Sequence, residues 1–127
     1  MYDHDPDDDR PAIVREADDA YEAIRAINHA TINAASIPAP VVYEVLGNLK
    51  LAAGHSMHQA LSQVAAGLVR SLETHDVYDD SGDPAENAAA AAALLRQAAG
   101  LAAQLGELLE QAQSRINSQG YRTPEES

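Results

Sequence analysis

Residues 51–69 read LAAGHSMHQALSQVAAGLV, nineteen consecutive positions without an Asp, Glu, Lys or Arg. A membrane span is a poor reading, because two His, two Gln and two Ser would have to enter lipid. A helix with an ordinary wet face carries charge every turn or two. Five turns without one imply that more than one face of this helix is covered.

The stretch lies inside a longer helical pattern. Val42, Leu46, Leu49, Ala53, Met57, Leu61, Val64, Leu68 and Leu72 form an apolar seam. Its spacing averages about 3.75 residues, wider than the 3.5 of a left-handed coiled coil, which argues against a long regular supercoil. Pro40 can open this helix at its first turn. Gly47, Gly54 and Gly67 interrupt it, and close approach of another helix is the plainest reason for them.

Upstream, Ser36-Ile37-Pro38-Ala39-Pro40 is a break, since the residue before each Pro leaves helical geometry. Before it, Ile13, Ala17, Ala20, Tyr21, Ile24, Ile27, Thr31 and Ala35 recur at helical spacing, opposite Arg15, Asp19, Glu22, His29 and Asn33. Downstream, Asp83-Pro84-Ala85-Glu86 carries a cap, a first-turn Pro and an acid placed to complete a capping box. The helix it opens has a seam of Leu94, Ala98, Leu101, Leu105, Leu108, Ala112 and Ile116, beside a second row of Leu95, Ala102 and Leu109.

The expected fold is therefore all-α. Three long helices, about 11–35, 40–73 and 84–118, run antiparallel as an up-down-up bundle that self-associates. One helical domain over 10–120 lies between a disordered acidic tail at 1–9 and a disordered tail at 121–127.

The chain has 127 residues, a size for one domain, and a net charge of −12. Asp3, Asp5, Asp7, Asp8, Asp9, Asp76, Asp79, Asp80, Asp83, Glu125 and Glu126 place most of that charge in tails and a connector. The helical segments are close to neutral, which speaks against a mimic of nucleic acid, and the overall sign speaks against a binder of it. Without Cys there is no disulfide, thiolate or Cys-ligated metal. Abundant Ala and seven Arg against one Lys fit a GC-rich bacterial genome. No basic-then-apolar leader opens the chain, so a cytoplasmic location, or export without a cleavable signal, is expected.

Catalytic motifs are missing. There is no G-x-S-x-G, no phosphate loop and no dinucleotide fingerprint. No enzyme, cofactor or small-molecule substrate is expected. His55 and His58 are three apart on one helix and are the candidate metal ligands, but no third ligand is identified. The Asp-rich connector fails as an EF-hand: Gly82 at position 6 would put Val77 at position 1 and Ala88 at position 12.

The expected function is a non-enzymatic interaction module, an adaptor, accessory or assembly subunit. It acts through an apolar face of the second and third helices. Leu61, Val64, Leu68, Leu95, Leu101, Ala102 and Leu109 are the packing or interface candidates, and the partner is a second copy or another protein. Two further readings stand beside it. Tyr121-Arg122-Thr123-Pro124-Glu125 resembles the Y-x-x-x-[DE] signal of small helical-hairpin substrates of type VII secretion. That resemblance implies an exported substrate, or a chaperone-like partner of the pathway, dependent on Tyr121. Val45-Leu46-Gly47 stands where that family has W-x-G, yet the chain has no Trp, the Pro-rich break precedes this position, and a third helix is extra. The third reading is a metal-binding helical protein using His55 and His58.

Overall fold

The computed structural model describes residues 8–124, which are all-helical with no strand among them. α1 spans Ala12–Thr31, α2 spans Ala39–Leu49, a π-turn spans Lys50–His55, α3 spans Ser56–Thr74, and α4 spans Pro84–Arg115. Helical dihedrals run through both junctions of the π-turn, so α2, π-turn and α3 make one continuous rod. The chain divides into two compact units at Ile37/Pro38, where a single domain over 10–120 is expected.

In the first unit, α1 starts after Pro11 and buries none of its residues. Arg10 pairs with Asp8 at 2.7 Å and with Asp18 at 2.6 Å, tying the residues before the helix to its second turn. The Arg10 guanidinium holds the Asp8 carboxyl well below the usual carboxylate range. α1 ends at Thr31, four residues short of the expected 35. Thr31 Oγ1 donates to Ile27 O at 2.9 Å, and the β-branched Thr31-Ile32 pair followed by Asn33 are weak helix formers.

The second unit is a helix pair in which α4 packs along α2, the π-turn and α3. Contacting residues rise in number along one rod as they fall along the other. Gln113 Nε2 donates to Tyr43 O at 3.0 Å, Lys50 Nζ lies 3.6 Å from Glu110 Oε1, and His58 Nδ1 is 2.9 Å from Ala99 O. The two rods are therefore antiparallel. Asp83 caps α4, its Oδ1 accepting from Ala85 N at 3.0 Å and Glu86 N at 3.5 Å. Glu86 makes no return bond, so the expected capping box is half formed. α4 ends at Arg115, three residues before the expected 118.

The core is built of small residues. Ala65, Ala88, Ala92, Ala99 and Ala102 are buried, with Gly54, Gly106 and Gln113, and among the described residues no large side chain is fully buried. On α4 the inner seam is Ala88, Ala92, Leu95, Ala99, Ala102, Gly106, Leu109 and Gln113, alternating steps of four and three. That is the coiled-coil repeat. It corrects the expected seam of Leu94, Leu101, Leu105 and Leu108, which points outward. Apolarity ranks Leu above Ala, but around the Gly54–Gly106 crossing the backbones come so close that only small side chains fit between them.

The closest point lies at the π-turn. A Cβ on Gly54 would stand 2.5 Å from Gly106 Cα, and one on Gly106 would stand 2.9 Å from Gly54 Cα and 3.2 Å from Lys50 O. Gly47 faces the Gln113 side chain, whereas Gly67 and Gly100 face no crossing helix. The π-turn has a geometric reason. Lys50, Gly54 and His58 all reach α4, two successive steps of four. Such steps would carry an α-helix about 80° off the seam, and the wider turn offsets that drift.

Candidate functional site: an uncharged face across α3 and α4

With the inner seam fixed, the other faces of each rod follow at about 100° per residue. On α4, Leu94, Ala98, Leu101, Leu105, Leu108 and Ala112 lie on one flank of the seam. On the other rod, Val42, Leu46, Leu49, Ala53, Met57 and Val64 hold the matching flank. In an antiparallel pair, the positions just before each seam residue meet on the same side of both helices. The two rows thus form one continuous face. Leu94, Leu101 and Leu108 are 65%, 59% and 61% exposed, and Met57, Val64 and Leu105 are exposed beside them.

No charged residue enters this face between Val42 and Ser71 or between Ala91 and Ala112. Glu44, Arg70, Glu73, Glu86, Arg96, Glu107 and Glu110 fall on the opposite flank and the backs of the helices, Lys50 lies in the seam, and Arg115 follows the face just beyond Ala112. Each rod therefore has three sectors: an inner seam whose buried positions are mostly Ala and Gly, an apolar outer side and a charged side.

The seven sequence-named candidates divide between two sectors. Ala102 is buried in the seam, and Leu61, Leu68, Leu95 and Leu109 are half-buried along it. Val64 and Leu101 stand on the outer face. Met57, Leu94, Leu105 and Leu108 belong to that face too, but the sequence reading counted them only in the apolar seams and not among the interface candidates. The four-three spacing on α4, held mostly by Ala and Gly, was the signal that could have moved them. The Gly54–Gly106 crossing carries no local signal, because its halves lie on different helices.

His55 is exposed in the π-turn, while His58 gives its Nδ1 to the Ala99 carbonyl. Among the described residues no three His, Cys, Asp or Glu side chains are grouped so as to hold a metal ion. In the connector, Asp79 accepts from Asn87 Nδ2 at 2.7 Å and from Ser81 N at 2.8 Å. The Asn87 bond, then the Ser81 amide, lowers its carboxyl pKa below the ordinary value. These bonds order the connector against the first turn of α4. The Tyr-x-x-x-Glu pattern ends at Glu125, outside the described residues; Tyr121 itself is exposed. No helix among the described residues is long and apolar enough to cross a membrane.

Compared with known proteins, the chain matches no protein family, no curated protein and no solved structure.

Proposed function

We propose that this chain is a non-enzymatic interaction module, an adaptor, accessory or assembly subunit built on antiparallel helices. It works through the uncharged face shared by α3 and α4. The single observation that carries the reading is the row Leu94, Leu101, Leu105 and Leu108, exposed beside Met57 and Val64 with no charge among them. A contiguous apolar patch of several hundred Å² is characteristic of a binding surface. The internal seam supports the same reading. Alanines and glycines supply its fully buried positions and bury little area each, while Leu94, Leu101, Leu105 and Leu108 stay outside it.

Site-specific photo-crosslinking tests it. A photoreactive side chain at position 101 or 108 is expected to capture a protein in cells. The same group at Gln97, on the back of α4, is expected to capture none. Equal capture from all three positions, or none from any, would remove the interaction face.

A further inference from the structure

We infer that the occupant of this face is a second copy of the same chain, paired about a two-fold axis. The inference rests on the reading of the face as an interaction surface and adds its partner. Charge supplies the first argument. The chain carries a net charge of −12, most of it in the tails and the connector, so two copies repel where those segments approach each other. A two-fold contact sets each patch against its own image, so an acidic patch would face an acidic patch. The face of Leu94, Leu101, Leu105, Leu108, Met57 and Val64 carries no charge at all. It is the surface on which self-contact costs no Coulomb repulsion.

Area supplies the second argument. The face runs over about twenty residues of each rod, or about 30 Å at ~1.5 Å per residue. Two packed helices are about 20 Å wide. The flat footprint is therefore ~600 Å², and the accessible area of a ridged surface exceeds its footprint. A stable interface needs ~800 Å² per partner. The face has the size of a dimer contact and exceeds that of a casual lattice-type touch. Its midpoint lies near Met57 on one rod and Leu101 on the other, so the axis passes there and the two copies stack into a two-layer, four-helix bundle.

Light scattering after size exclusion tests this on the full chain, across a hundred-fold range of concentration. The expected mass is twice 13.5 kDa. Leu101→Glu is expected to give a monomer that is still helical by circular dichroism, and Gln97→Glu is expected to stay dimeric. Should Leu101→Glu lose its helices, Leu108→Gln is the milder substitute, with the same expected loss of dimer. Equimolar mixing of Leu101→Glu with Leu101→Lys is expected to restore the dimer, since each position meets its own image across the axis. A wild type that stays monomeric throughout overturns the second copy. A crosslink from position 101 in that case keeps the interaction face and assigns it to a different protein, and no crosslink removes both. A dimer that survives both Leu101→Glu and Leu108→Gln overturns the assignment of the face.

Discussion

Gly54 and Gly106 meet where each lacks a side chain, and the cost of adding one can be compared with a control. Gly54→Ala drives a methyl to 2.5 Å from backbone, with no flexible group to give way. The helices must separate, at a cost of about 1–3 kcal/mol. Gly100 has open space around its Cβ position on the same helix. Gly100→Ala is therefore expected to stabilise by about 0.5–1 kcal/mol through helix propensity. Denaturant unfolding of the two variants should give opposite signs. If Gly54→Ala shifted the midpoint the same way as Gly100→Ala, the close crossing would be wrong. Asp79 offers a second check. Its folded pKa lies below the unfolded value near 3.8, so its contribution to stability is present above that value. It is lost as pH falls through the folded pKa. Carboxyl titration by NMR should show Asp79 below 3.8, and Asn87→Ala should bring it upward by removing the 2.7 Å bond. An unchanged titration in the variant would mean that Asn87 is not the cause.

Among the elements, helix starts were the most legible part of the sequence. Pro40 and Asp83-Pro84 sit within a residue of the observed starts of α2 and α4, because Pro and a capping carboxylate act locally. Asp83→Ala should lower stability by about 1 kcal/mol, measured by thermal or denaturant unfolding, since two amides of the first turn lose their acceptor. An unchanged midpoint would show that the cap contributes nothing. Helix pairing was less legible. Which apolar row faces inward depends on how near the partner backbone comes, and that distance belongs to two helices at once. Leu101 and Ala102 are neighbours in sequence, yet the smaller is buried and the larger is exposed. The π-turn was hidden for the same reason: only the need to keep Lys50, Gly54 and His58 on α4 calls for it. The end of α1 was misplaced because Thr31 and Ala35 continue its apolar spacing although the intervening Ile32 and Asn33 weaken the helix.

For the whole molecule, the uncharged stretch at 51–69 implies that more than one face of the rod is covered; the structure puts α4 against one face and leaves Met57 and Val64 exposed on another, and the stretch could not say which face met α4. The division of charge makes a further prediction. The proposed self-association would work against a net charge of −12 on each copy. Raising ionic strength from about 0.01 M to about 0.15 M shortens the Debye length from about 30 Å to about 8 Å. Association should therefore tighten with salt, as read by sedimentation at fixed concentration. Weakening with salt would point to ion pairs at the contact and away from this face.

The alanine seam also shapes what mutation can do to this protein. At Ala92, Ala99 and Ala102 nearly every substitution enlarges the side chain, so random change there can only push the helices apart. At Leu94, Leu101 and Leu108 almost any residue leaves the helix pair intact. A library scored once for cellular abundance and once for association would separate into two nearly disjoint sets. The seam would be silent about the partner, and the outer face would be silent about folding. Inheritance of the fold and inheritance of the proposed interaction would thus be written on different letters of the same helix, and either could drift while the other is held.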